Sequence, residues 1–166
     1  MAMTDTLKSS ELFGGLGIEH LEKVSHLCRG GSYREGKIIF NEGDEAAQLY
    51  ILTGGRVVLE MGVQPVPNRP AIPTAVEAVT EGDCLGWSAL VEPHVYTLSA
   101  RCMTNCTVLA IKGDMLRKIM DDDPVLGYEV MKRLARLISL RLTHTRLRLT
   151  SGLGLILLGK ETEVSK

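Results

Sequence analysis

The chain of 166 residues contains no apolar run approaching the roughly 18 to 20 residues that a membrane span requires. Its start, MAMTDTLKSS, lacks the basic-then-apolar order of a secretory leader. A cytoplasmic location with no membrane contact is therefore expected. Charge of one sign is also missing. The formal net charge is −1, so the molecule as a whole has no attraction for nucleic acid or anionic lipid. Reactive motifs are absent as well: no base and nucleophile stand at a recognisable spacing, and neither a phosphate loop nor a metal-ligand pattern occurs, so no enzymatic activity is expected. Cys28, Cys84, Cys102 and Cys106 form no Cys-x-x-Cys pair, which points to buried, reduced thiols. His20, His26, His94 and His144 are equally scattered, and only His94, in a loop, invites a haem or ligand reading beside that of a solvated side chain.

What is present is a run of short apolar alternations punctuated by glycine. Ile38 and Phe40, then Leu49 and Ile51, then Val57, Leu59 and Met61 recur at period two, the spacing of strands with one buried face. Gly36, Gly43 and the Gly54-Gly55 pair separate them and read as tight turns. With an apolar share of 45%, this pattern suits one domain around a single core, built as a β-roll or barrel. Ile18, Leu21, Val24 and Leu27 predict a short amphipathic helix ahead of it. Pro65, Pro67, Pro70 and Pro73 predict an exposed loop over 63–74 without ladder hydrogen bonds, and Tyr96 to Ile111 predicts the last two strands.

The order Ile39, Gly43-Asp44, Ala46, the apolar Leu49-Tyr50-Ile51-Leu52 and Gly55 resembles the first signature of cyclic-nucleotide-binding domains. The resemblance runs from about Leu12 to Leu149 and is nearest to the sensor half of catabolite-activator and Fnr-type bacterial regulators. It implies an eight-stranded antiparallel β-roll, or jelly-roll, followed by a long C-terminal dimerisation helix. The corresponding division is an N-terminal tail over 1–11, a domain over 12–149 with its roll at about 32–112 and its helix at about 124–149, and a tail over 150–166.

The family's second signature surrounds the ligand, and here its frame stays while its charges go. Gly86, Ala89, Leu90, Thr97, Ala100 and Cys102 are in register. Where the resemblance implies an acid for the ribose hydroxyl, the chain has Trp87, and where it implies an arginine for the cyclic phosphate, it has Tyr96. Losing one charge-assisted contact of that kind weakens binding by roughly 1.5–3 kcal/mol. The expected ligand-binding residues are Gly86, Trp87, Ser88, Ala89, Tyr96 and Thr97, with Thr145 as the far wall, the place where the relatives contact the base. Ser88 and Ala89 are expected to open a short helix whose amides and hydroxyls suit an anion. Three readings stay open: a cyclic nucleotide such as cAMP or cGMP, a different flat or apolar ligand, or a vestigial pocket filled by the two aromatics in a ligand-free interaction module.

Asp114 to Met120 predicts a short helix, and Asp123-Pro124 a well-formed start for the next, since aspartate caps free amides and proline at the first position loses no bond. From there Leu126, Val130, Arg133, Leu137, Leu140, His144 and Leu147 form an imperfect heptad seam, and Met131, Leu134, Ile138 and Leu142 a second stripe. One stripe is expected to cover the roll and the other to meet a twin helix in a homodimer. Lys132, Arg133, Arg136, Arg141, Arg146 and Arg148 make the helix basic; they read as dipole-complementing, solubilising charges. The residues after Leu149 are too few for a helix-turn-helix module, so direct DNA binding is not expected. The apolar Leu153 to Gly159 suggests packing on the roll, a lid or a docked protein partner.

Overall fold

The computed structural model describes the backbone of residues 3–164 and the side chains of residues 3–151. The elements are α1 (Met3–Ser9), α2 (Ile18–Ser25), β1 (Cys28–Tyr33), β2 (Ile38–Phe40), β3 (Gln48–Gly54), β4 (Val57–Val63), β5 (Ile72–Val79), β6 (Cys84–Leu85), β7 (Ser99–Cys102), β8 (Cys106–Lys112), α3 (Gly113–Asp122) and α4 (Pro124–Val164). A single 3₁₀ turn, Trp87–Leu90, follows β6. The eight strands form two antiparallel sheets of four, in the orders β1-β8-β3-β6 and β2-β7-β4-β5. This is the expected roll.

β3 occupies the middle of its sheet between β8 and β6, and Leu49, Tyr50, Ile51 and Leu52 are all buried. A central strand covered on both faces has no solvent side, so its apolar residues run consecutively. The turn after β3 requires glycine. Gly55 has φ +90°, and a Cβ there would lie 2.4 Å from the Asn105 carbonyl, so only glycine fits the chain crossing at the end of β3.

Four expectations are corrected. The N-terminal residues are not a tail: α1 is helical, and Leu7, Leu12 and Phe13 are fully buried, so tertiary packing holds a helix too short to persist alone. The roll begins at Cys28 rather than at about 32, because Gly30 and Gly31 pair in register with Leu109 and Val108 of β8. The proline-rich hairpin keeps its ladder further than expected, with Val63 opposite Ile72 and Gly62 opposite Pro73. Pro73 is tolerated because β5 is an edge strand. Finally, the α4 backbone continues past Leu149 to Val164, with no proline to stop it and the hydroxyls of Thr150 and Ser151 bonding back to carbonyls one turn earlier. The side chains of Leu153 to Gly159 lie outside the described residues.

α4 starts as its sequence requires. Asp123 Oδ1 accepts from the Leu126 amide at 3.2 Å, and Asp123 Oδ2 lies 2.5 Å from Lys23 Nζ in α2. Leu126, Val130, Leu134 and Leu137 are buried, each stabilising the contact with the rest of the domain by roughly 1.5–3 kcal/mol. Leu134 thus belongs to the inner face, while Met131, Ile138, Leu140, Leu142 and Leu147 are exposed. The basic residues do more than solubilise. Arg133 donates to the Gly14 carbonyl, Arg141 to that of Cys84 and Arg148 to that of Val76, pinning the helix to three separate segments.

Candidate functional site

The loop from β6 to β7 and the inner face of the β2-β7-β4-β5 sheet enclose a cavity lined by Phe40, Leu59, Gly86, Trp87, Ser88, Tyr96, Thr97 and Leu98. Its volume is about 30 Å³, room for about two water molecules. Five of the expected site residues therefore come together: Gly86, Trp87, Ser88, Tyr96 and Thr97. Gly86 has φ +75°, and a Cβ there would sit 3.0 Å from the Gln48 carbonyl and 3.1 Å from Tyr96 Cε1, so the turn is built around the absence of a side chain.

Tyr96 is the most constrained member. Its ring stacks on Phe40 with centroids 3.9 Å apart, and Phe40 in turn stacks on Tyr50 at 5.8 Å. The Tyr96 hydroxyl donates to the Gln48 carbonyl at 2.7 Å and accepts from the Gln48 amide at 3.2 Å. Its amide donates to Asp44 and its carbonyl accepts from Gly43, which fastens the first signature to the second. Burial above all pushes the phenol upward from its ordinary value. Trp87 is only half-buried, and its ring faces the guanidinium of Arg141, 4.4 Å from the centroid.

Two expected residues stay outside the cavity. Ala89 is fully buried, and its amide donates to the Gly86 carbonyl at 3.1 Å, so it is not free for an anion. The expected helix is one 3₁₀ turn of four residues, too short to bring a dipole to bear on a ligand. Thr145 is exposed, and its hydroxyl donates to the Arg141 carbonyl within α4 at 2.9 Å. His94 lines a separate cleft with Glu45, Lys112, Asp114 and Arg117. The side chains that the sequence reading missed are Phe40, Leu59, Leu98 and Arg141. Phe40 and Leu59 carried only their strand period, and nothing in the sequence set Leu98 or Arg141 apart from their neighbours.

Among the described residues no charged side chain lines the cavity. The one buried carboxylate among the described residues, Glu60, is held by Arg101, with Arg101 Nε 3.1 Å from its Oε2, and does not reach the cavity. Among the described residues no cluster of histidine, cysteine and carboxylate side chains could hold a metal ion. The four thiols are free and buried, and burial pushes Cys28 up to about 11 and Cys84 up to about 12. No described helix is long and apolar enough to cross a membrane.

The fold is thus a two-sheet antiparallel roll with a glycine-framed turn after β6 and a small cavity beneath it. The family model for the cyclic nucleotide-binding domain matches residues 31–123, more than half of the chain, and the chain belongs to that family. It is 24% identical over 145 residues to a CRP-like cAMP-activated global transcriptional regulator of Mycobacterium tuberculosis, covering 87% of this chain and 62% of the relative. The chain therefore spans less than two thirds of that relative's length. Among solved structures, a Geobacter metallireducens GS-15 protein named for cyclic nucleotide binding superposes with a TM-score of 0.73 at 28% identity, covering 86% of this chain and 99% of that one. The Thermus thermophilus catabolite activator protein superposes with a TM-score of 0.68 at 24% identity, covering 85% of this chain and 62% of that one.

Proposed function

We propose that this chain is a non-catalytic regulatory domain that senses a small, flat, uncharged ligand at the cavity beneath Trp87 and signals through α4. The observation that carries this reading is the lining itself: three aromatic rings, two leucines and two hydroxyls, with no charge of either sign. A cyclic phosphate placed there would lose its hydration with no cation to replace it, and an unpaired buried charge is costly. An apolar ring would trade water for the faces of Phe40, Trp87 and Leu98. The cavity as it stands is smaller than any such ligand, so entry requires a lining ring to move. Tyr96 is held by its stacking on Phe40 and its hydroxyl bonds to Gln48, and half-buried Trp87, held through its contact with Arg141, is the ring that moves.

Signalling through α4 is supported by its exposed apolar stripe, Met131, Ile138 and Leu142, which a second copy of the helix would cover in a homodimer. A protein partner would then read the shift of the paired helices. A second reading, a ligand-free interaction module, is favoured by the tight stacking of Tyr96 on Phe40, which fills the place of the missing arginine. Calorimetry with cyclic AMP and cyclic GMP, together with native mass spectrometry of the protein as purified from cells, tests the two. We expect no cyclic-nucleotide dissociation constant at or below about 1 μM, corresponding to roughly −8 kcal/mol. A tight cyclic nucleotide would overturn the charge argument. A protein that retains no small molecule and shows no ligand-dependent melting across a chemically diverse screen would favour the module.

A further inference from the structure

Trp87 belongs to two assemblies at once. It lines the cavity, and its ring carries the Arg141 guanidinium at 4.4 Å. Arg141 is only 11% exposed and spends its donors on three segments of the domain. Its Nη2 donates to the Cys84 carbonyl in β6 at 2.7 Å and lies 3.4 Å from Glu11 Oε2 beyond α1, and its Nε lies 3.3 Å from Glu77 Oε1 in β5. Arg133 and Arg148 also pin α4, but neither touches the cavity lining through an aromatic ring.

A guanidinium is planar and rigid, so its in-plane hydrogen bonds and the ring stacked on its face share one orientation. Tilting the ring tilts the plane, and the bonds to Cys84, Glu77 and Glu11 lose alignment together. We infer that Arg141 is a latch tying the position of α4 to the position of the Trp87 ring, so that a ligand which shifts Trp87 loosens α4 from β5 and β6. This rests on the sensor reading for its purpose, but the coupling belongs to the protein itself.

Trp87 is the one tryptophan of the chain, so its emission reports the latch directly. With no ligand added, Arg141→Met is expected to shift that emission to the red, increase its quenching by acrylamide, and speed hydrogen exchange in α4 over 134–148 about tenfold, the effect of losing a desolvated cation–π contact and its bonds. Trp87→Leu is expected to speed the same amides although every Arg141 donor remains, and the double variant to exchange no faster than Arg141→Met alone. Unchanged α4 exchange in Trp87→Leu, or additive effects in the double variant, would overturn the latch. If Arg141→Met does not fold, Arg141→Lys, which keeps the charge and loses the plane, is expected to show the red shift; unaltered emission counts against the proposal. A chain that binds no small molecule would still pass these tests, whereas an uncoupled helix would fail them even with a ligand found.

Discussion

The hydroxyl of Tyr96 and the carbonyl of Gln48 are joined by a 2.7 Å hydrogen bond across the mouth of the roll, with the Tyr96 ring stacked on Phe40 behind it. The residue standing where the resemblance implies a phosphate-binding arginine is thus a core element. Tyr96→Phe is expected to cost about 1–2 kcal/mol through the orphaned Gln48 backbone groups, and Tyr96→Ala about 3–5 kcal/mol. Urea denaturation measures both. Restoring the family pattern with Trp87→Glu and Tyr96→Arg is expected to lower the melting temperature sharply, without rescue by millimolar cyclic AMP.

Gly86 is expected to tolerate no side chain. Gly86→Ala places a Cβ against Gln48 and Tyr96 at positive φ, and a loss of about 1–3 kcal/mol is expected in the same denaturation experiment. A neutral alanine would mean that the turn is looser than its geometry.

The two faces of α4 are expected to respond differently to charge. The wild type is expected to run as a dimer in light scattering, and Ile138→Glu with Leu142→Glu, both on the exposed stripe, to leave a folded protein that runs as a monomer. Leu137→Glu, at a side chain only 2% exposed, should instead unfold the domain.

The Glu77 carboxyl is pushed upward by burial, with Asp83 and Glu11 adding to the rise and Arg141 and Arg148 opposing it. A carboxyl raised in the folded state binds its proton more readily there than in the unfolded chain. Its ionisation therefore weakens the fold, and stability is regained as pH falls through the raised value. Relative to Glu77→Gln, the wild type is expected to lose stability as pH rises from the ordinary carboxylate range through the raised value. Melting temperatures of the pair across that range check the sign; a constant difference would show that Arg141 cancels the burial.

Much of the architecture was legible in the residues because it is written in local rules. Glycines at positive φ, the apolar periods of β2 to β4, and the Asp123-Pro124 helix start depend on near neighbours, and those elements lie where their patterns predict. α1 and β1 were not legible. Leu7 makes a buried helix residue only because the rest of the domain covers it, and Gly30-Gly31 make a strand only because β8 lies alongside.

At the cavity the same division holds. That Trp87 and Tyr96 stand where the family resemblance implies an acid and an arginine is legible in the sequence, since it is a matter of which residue occupies which register. Whether those rings fill space or leave it, and which of the basic residues on α4 reaches them, depends on contacts between Phe40 and Tyr96 and between Trp87 and Arg141, more than 50 positions apart in the chain. No local pattern encodes such pairs; packing of the helix on the roll selects them.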